Sequence, residues 1–418
     1  MIENVKMEVR NEVLSKEIPN VGKLSKPKLV TLGLQHAMAM FGATVLVPIL
    51  TGLNVGVALF TAGIGTLLFH LITKGKVPAY LGSSFAFIAP ITLVIKEYGD
   101  VSAAQGGIII AGLIYAIMAL IIYLVGPEFV ERLFPPVVTG PVIMVIGLVL
   151  APVAINMAKE NWLVAGISLL TAALITVFGR GFVKLVPVIF GLVCGYIAAL
   201  ICGLVDFTVV KESAWLGLPE FTVPKFNWSA ILMIAPVALV SMVEHVGDIL
   251  AIGATVGKGR EYLSDPGIHR TLLGDGLATS LAGIFGGPPN TTYSENTGVL
   301  ALTKVYNPIV MRIAACFAIM MSIIPKLSAL ISTIPQPVVG GIAILLFGMI
   351  TSVGIRTMVE NNVDLTKARN LIIASVILVI GIGGAELKIR NLTIAGMALA
   401  GIAGLILNKI LPENLGEE

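Results

Sequence analysis

Apolar stretches of about 20 residues, the length that crosses a ~30 Å hydrocarbon core as a helix, recur along most of this 418-residue chain. They fall near 30–51, 54–73, 105–126, 137–155, 162–179, 185–204, 229–251, 271–286, 308–325, 334–353, 370–384 and 391–410. Two further segments, near 79–95 and 289–304, are shorter and interrupted by polar residues. The pattern predicts an all-α polytopic membrane protein with fourteen transmembrane spans. Composition agrees: only 12% of residues are charged and mean hydropathy is +0.97, whereas soluble domains carry roughly 25% charged residues.

Residues 1–28 mix Lys, Arg and Glu ahead of a full-length apolar run. They are expected to form a cytoplasmic tail rather than a cleaved signal. With fourteen spans and that tail inside, 20 of the 27 Lys and Arg fall on the inner side. The other seven (Lys96, Lys159, Lys211, Lys225, Lys326, Lys388 and Arg390) fall outside. This is the asymmetry the positive-inside rule requires, so both termini are expected in the cytoplasm and the chain in the inner (cytoplasmic) membrane. Cys194, Cys202 and Cys316 lack metal-ligand spacing and are read as small core residues; no metal and no cofactor are expected. A formal charge of +3 with no basic stripe argues against a nucleic-acid partner.

The chain also repeats itself. LQHAMAMFGATV (34–45) echoes VEHVGDILAIGATV (243–256), LGSSFAF (81–87) echoes PNTTYSE (289–295), and PVVTG (136–140) echoes PVVGG (337–341), at offsets of 209, 208 and 201. An odd number of spans per half, seven, makes the second copy enter the membrane inverted. Inverted repeats build many secondary transporters, whose sites lie near the midplane where broken segments of the two halves meet. The two short segments, rich in Pro, Gly and paired hydroxyls, are that pair. Each is expected to be part extended and part helix, with its freed backbone groups buried in protein or lining a cavity.

Ionisable residues inside spans cost roughly 2.5–3.5 kcal/mol each at mid-helix and therefore mark function by default. Glu244 and Asp248 lie one turn apart on one face of the eighth span, with His245 about 100° round. Glu295 follows the break in the tenth. Three acids meeting without an evident Lys or Arg suit a ligand that presents N–H groups, or a cation. Half-helix N-termini at Phe85 and Glu295 would supply N–H donors for carbonyl oxygens. A nucleobase edge satisfies both sets, and carboxylates that take up and release a proton make H+ the natural coupling ion. Plainer readings stand beside these. Glu244 could pair structurally with His245 or Gln35, and Asp248 could be a solvated charge at a helix end. His245 is read first as a packing histidine. Asp275, near the start of the ninth span, is read equally as a ligand of backbone N–H groups or a coupling residue. Gln35 and His36 are expected to hydrogen-bond the broken spans, and Phe85 and Tyr293 to offer stacking faces.

The segment ENTGVLALTK, Glu295 to Lys304, resembles the signature of the nucleobase–ascorbate transporters. Gln35-His36, AYLGSSFAFIAP (79–90) and VEHVGD (243–248) resemble other stretches of that family, and the likeness, strongest to its bacterial uracil-transporting members, covers nearly the whole chain. It implies two inverted seven-span repeats with short strands in spans 3 and 10. A core domain would comprise 29–126 and 229–333, and a gate domain 127–228 and 334–412. It implies that Glu244 and Glu295 accept hydrogen bonds from the base, and that N–H groups around Phe85 and Ser294 hold its carbonyls. Ala43 and Tyr293 would line the pocket, and Asn296 belongs to the signature as a structural or coupling polar residue. Glu at 295 is the form associated with uracil. Uracil-type members carry a His where this chain has Asp248, a residue other members share. The expectation is proton-coupled uracil uptake, with a homodimer as a further one. Its rivals are a xanthine or purine permease of the same family, an anion exchanger of the same fold, a passive channel, and an intramembrane metallohydrolase. The last lacks any HExxH or GxSxG unit, so no catalytic residues are expected.

Overall fold

The computed structural model describes residues 25–389 and 392–412. The expected cytoplasmic tail therefore lies, up to residue 24, outside the described residues. In chain order the first half holds α1 (Lys26–Thr51), α2 (Val55–Ile72), β1 (Leu81–Ser83), which leads through a 3-10 turn at Phe85–Phe87 into α3 (Ile88–Tyr98), α4 (Val101–Val125), α5 (Pro136–Ala158), α6 (Trp162–Phe178) and α7 (Pro187–Ile201). The second half holds α8 (Trp228–Thr255, with a 3-10 turn at Ala235–Val237), α9 (Ile268–Phe285), β2 (Asn290–Thr292), α10 (Ser294–Thr303), α11 (Ile309–Ser322), α12 (Pro325–Ser332), α13 (Gln336–Glu360) and α14 (Ala368–Ile382). A hairpin of β3 (Glu386–Ile389) and β4 (Leu392–Ala395) then leads into α15 (Gly396–Ile410).

The helix starts follow local chemistry. α2, α4, α6 and α8 begin on Asn54, Asp100, Asn161 and Asn227, whose side chains accept backbone N–H groups of the first turn. These caps satisfy donors that have no partner inside the helix. α5, α7 and α13 instead carry Pro in their first turns, where the missing N–H costs nothing. Among the described residues, α1, α2, α4, α5, α8 and α13 are long and apolar enough to cross a membrane. α11 and α12 form a further pair bent by 83°. α6, α7, α14 and α15 are apolar helices of 15–17 residues.

Each apolar or broken stretch read from the sequence overlaps one of these segments, with shifted edges. α4 starts at 101 rather than 105, α9 at 268 rather than 271, and α13 runs on to 360 rather than 353. The β3–β4 hairpin stands where the last span was expected to begin, because its alternating apolar residues extend the hydropathy window. Cys202 and Cys316 are exposed and Cys194 is only half-buried, which corrects their reading as core residues. In a bilayer the outer face of a bundle is as apolar as its interior, so hydropathy alone does not separate them.

The two halves pack as an inverted pair. α5 and α13 run antiparallel in contact: a Cβ on Gly147 would lie 2.3 Å from the carbonyl oxygen of Phe347, and one on Gly354 would lie 2.6 Å from that of Gly140. α4 and α9 meet on Gly112 and Gly276, where the added Cβ would come 2.3 and 2.7 Å from the partner's carbonyl oxygen. Small residues that let backbones touch are how helices associate where lipid removes the hydrophobic drive.

Candidate functional site

The site is built around a two-stranded ladder made by segments about half a chain apart. β1 and β2 pair antiparallel, with Leu81 opposite Thr292, Gly82 opposite Thr291 and Ser83 opposite Asn290. Ser84 N–H donates to the Pro289 carbonyl at 2.8 Å, and Tyr293 N–H donates to that of Tyr80 at 3.0 Å. Those bonds relate the halves by an offset of 209, so the sequence alignment of LGSSFAF with PNTTYSE at 208 is one residue out of step. Phe85 corresponds to Ser294, not to Tyr293, and both begin helical segments. The outer sides of the ladder are closed by hydroxyls. Thr66 Oγ1 accepts from Leu81 N–H at 3.0 Å and donates to its carbonyl at 3.2 Å; Thr279 does the same for Asn290 at 3.2 and 3.0 Å. The outward N–H and C=O of Leu81 and Asn290 are thereby satisfied without water, as hydrocarbon surroundings demand.

Gly82 is held to a hydrogen side chain by Tyr293. A Cβ there would lie 2.4 Å from the ring's Cζ and 2.8 Å from Thr44 Oγ1. The Tyr293 hydroxyl donates to the Ser83 carbonyl at 2.9 Å, and Ser83 Oγ donates to the Thr44 carbonyl at 3.0 Å. Tyr293 thus wedges the two half-chains together from inside the ladder.

From the ladder two half-helices depart in opposite directions, the 3-10 turn and α3 from Phe85, and α10 from Ser294. Neither Ser84 nor Tyr293, the residues before these starts, caps them with its side chain; at α10 the Glu295 carboxylate instead meets its own backbone N–H, and both starts carry the positive end of a helix dipole. α8 supplies the acids opposite. Asp248 Oδ2 accepts a hydrogen bond from Thr292 Oγ1 at 2.9 Å. Glu244 has a buried Oε2 without a hydrogen-bond partner, and its acidic neighbours are Asp248, Glu295 and Asp275. Glu295 sits in the first turn of α10. The structure therefore brings together Glu244, Asp248 and Glu295.

The remaining predicted residues divide between this cluster and its supports. Ala43 and Phe85 are buried, and Phe85 meets Phe347 of α13 edge-on, with centroids 6.1 Å apart and planes at 80°. Ser294 is exposed at the start of α10. Asn296 Nδ2 donates to the His36 carbonyl at 3.0 Å and lies 3.2 Å from its Nδ1, joining α10 to α1. Gln35, the counterpart of Glu244 at the 209 offset, likewise has a buried side-chain oxygen without a hydrogen-bond partner. His245 meets Asp275 of α9: its Nδ1 lies 3.1 Å from Asp275 Oδ2, with both side chains fully buried. Phe69 meets the same imidazole edge-on at 6.4 Å. Asp275 is two turns into α9 rather than near its start, and it faces an imidazole rather than a set of backbone N–H groups. Asp248 is half-buried and hydrogen-bonded, which sets aside its reading as a solvated helix-end charge.

Sequence reasoning missed Thr292 as the partner of Asp248 and Phe347 as the partner of Phe85. Thr292 carries a signal in the sequence only as one of the paired hydroxyls of PNTTYSE, and Phe347 lies beyond the PVVGG (337–341) repeat with no signal of its own. Ser241 on α8 was also missed; its Oγ lies 3.4 Å from that of Ser84.

Comparison with known proteins is consistent with this architecture. Residues 27–389 match the permease family that contains the xanthine and uracil permeases. The chain is 49% identical over 411 residues to the uracil permease of Bacillus caldolyticus, covering 93% of this chain and 94% of that protein. It is 43% identical over 404 residues to the uracil permease of Escherichia coli K12, covering 93% of each. A putative pyrimidine permease, RutG, of the same strain is 42% identical, covering 94% of this chain and 91% of that one. In structure the chain is similar to the transmembrane domain of the cyanobacterial bicarbonate transporter BicA, with a TM-score of 0.65 at 16% identity over 91% of this chain and 96% of that one. It is also similar to the murine anion transporter Slc26a9, with a TM-score of 0.71 at 9% identity over 93% of this chain and 68% of that one. Those two likenesses concern the fold alone. The chain is a multi-pass membrane protein and belongs to the nucleobase–ascorbate transporter family of permeases.

Proposed function

We propose that this protein carries uracil across the cytoplasmic membrane in symport with protons. The observation that carries the reading is the pairing of acceptors with donors across one point. The free carboxylate oxygen of Glu244 and the acid of Glu295 stand with the helix N-termini at Phe85 and Ser294. A uracil edge alternates N–H and C=O, so its N–H groups bond Glu244 and Glu295 while backbone N–H groups around Phe85 and Ser294 hold its carbonyls. Ala43, Phe85 and Tyr293 supply the apolar surfaces for its ring. Asp248 carries the coupled proton, and the Thr292 hydroxyl tells the ladder whether that carboxylate is charged. Transport, rather than chemistry on the ligand, is the activity, and it requires no cofactor.

In this reading the chain crosses the membrane fourteen times, with both termini in the cytoplasm. Residues 29–126 and 229–333 form a core that holds the base, and 127–228 and 334–412 form a gate against which it moves. Phe85 and Phe347 meet across that boundary, so the edge-on pair marks where the two bodies slide. Self-association into a homodimer belongs to the same reading.

The test is uptake of labelled uracil into proteoliposomes, with and without an inside-alkaline pH gradient and with xanthine as competitor. Accumulation above equilibrium that needs the gradient and resists xanthine supports the proposal. Entry of xanthine in place of uracil would overturn the specificity drawn from Glu295, and entry only to equilibrium would overturn the proton coupling.

A further inference from the structure

The connection between α7 and α8 is long, ordered and oily on the outside. It is tied to the bundle at several points. Gly217 N–H donates to the Ile323 carbonyl at 3.2 Å, Lys326 N–H to that of Ala214 at 3.1 Å, and Lys225 N–H to that of Ser102 at 3.0 Å. Lys225 Nζ pairs with Asp100 at 2.6 Å. The Phe221 ring packs on Phe60 and Phe285 with centroids 5.1 and 5.2 Å apart. Its inner surface helps to line a half-open pocket of about 490 Å³ against the ends of α1, α11 and α12.

A connection so fixed could turn polar residues to its free side, yet Trp215 is 72% exposed, Leu216 75%, Val223 80% and Phe226 64%. Fully exposing one such side chain forgoes about 1.5–3 kcal/mol relative to burial, so four together call for an apolar neighbour. Position identifies that neighbour. The chain's three tryptophans are Trp162, Trp215 and Trp228, and all are exposed. Trp162 and Trp228 are the first residues of α6 and α8, at the level where spans leave the hydrocarbon and where Trp concentrates. Trp215 lies on the connection that ends at Trp228. Lys326 Nζ stands 4.8 Å from the centre of its ring. Amphipathic rings beside ammonium groups suit the layer where acyl chains give way to phosphates.

We propose that residues 204–228 form a strap seated in the lipid headgroup interface, with Trp215, Leu216, Val223, Phe226 and Trp228 as its anchors, covering the pocket beneath it. The strap therefore binds the bilayer itself and not a protein.

The full chain carrying Trp162→Phe and Trp228→Phe, which leaves Trp215 as the single indole, is reconstituted in phosphatidylcholine–phosphatidylglycerol vesicles. Lipids brominated near the glycerol end of their acyl chains should remove about half or more of the Trp215 emission. Aqueous iodide should have little effect. Quenching by iodide without quenching by brominated lipid overturns the proposal by placing the strap in water. Protection from both overturns it too, because a protein then covers the strap. The unsubstituted chain gives an independent reading: brominated lipid should quench its emission with no residual iodide-accessible fraction, and such a fraction would contradict the assignment.

Discussion

Thr292 donates its hydroxyl hydrogen to Asp248 at 2.9 Å, tying the strand of the tenth segment to an acid one turn below Glu244 on α8. Charge and hydrogen bond can be removed separately here. Asp248→Asn keeps an oxygen for Thr292 but loses the charge, whereas Thr292→Val keeps the charge and loses the donor. Asp248→Asn is expected to abolish gradient-driven accumulation while leaving uracil binding within a few-fold of normal. Thr292→Val is expected to retain accumulation with altered pH dependence. Equal loss of binding and accumulation in Asp248→Asn would remove Asp248 from the coupling role.

Glu295 offers acceptors only, and an amide there offers a donor as well. A hydrogen bond to a charged group contributes about 1.5–3 kcal/mol, so Glu295→Gln is expected to weaken uracil binding roughly 10- to 150-fold. Purines should compete better in the variant than in the native chain. Titration of both proteins with uracil and xanthine decides the matter, and an unchanged uracil affinity places Glu295 outside the site.

His245 and Asp275 form a buried pair behind the acids. Removing either leaves the other without its partner, at a cost of about 1–3 kcal/mol. His245→Ala and Asp275→Ala should each lower the melting temperature in detergent. The double variant should lose less than the sum of the two, as residues in contact do. Strict additivity would show that the two side chains act independently.

Gly82 touches no ligand in the proposed site, yet Gly82→Ala is expected to abolish uptake because its Cβ would enter the space of the Tyr293 ring. Tyr293→Ala in the same chain should recover part of the thermal stability by emptying that space. Failure of the second substitution to recover any stability would mean that the defect lies elsewhere.

Outside the membrane-spanning helices, Lys225 holds the carboxyl of Asp100 below its ordinary value, mainly through their direct hydrogen bond. A depressed folded-state value makes this tie stabilising above the unfolded pKa of about 3.8 and progressively lost as pH falls through the lower folded value. The melting-temperature difference between native protein and Lys225→Met should therefore be constant above about pH 4 and shrink toward zero below it. A difference that persists in acid would assign the effect to the lysine stem rather than to its charge.

The sequence made some of this legible and hid the rest for identifiable reasons. Hydropathy located the helices because length and apolarity are what a bilayer selects. The echo of Gln35-His36 in Glu244-His245 revealed the repeat. The paired hydroxyls beside the prolines revealed the broken segments, and the spacing of Glu244 and Asp248 put both on one face. What stayed hidden needed contacts between distant segments. Nothing near Asp275 in the chain points to His245, and nothing near Asp248 points to Thr292. The one-residue slip at the ladder arises because Phe85 and Tyr293 match as aromatics, whereas backbone hydrogen bonds align the helix starts at Phe85 and Ser294. Cys202 and Cys316 misled because lipid-facing and core positions share one composition.

The ladder of β1 and β2 also bears on how the protein is made. Leu81–Ser83 has its hydrogen-bonding partner at Asn290–Thr292, so when the first strand enters the membrane more than two hundred residues separate it from that partner. Backbone groups cannot stay unsatisfied in hydrocarbon. During synthesis the first half must therefore hold its broken segment near the insertion machinery, in water, or on a temporary partner until the second half arrives. A ribosome that stalls between the two strands leaves segments that can be threaded but not finished, and the arrival of Thr292 is the event that lets the first half settle.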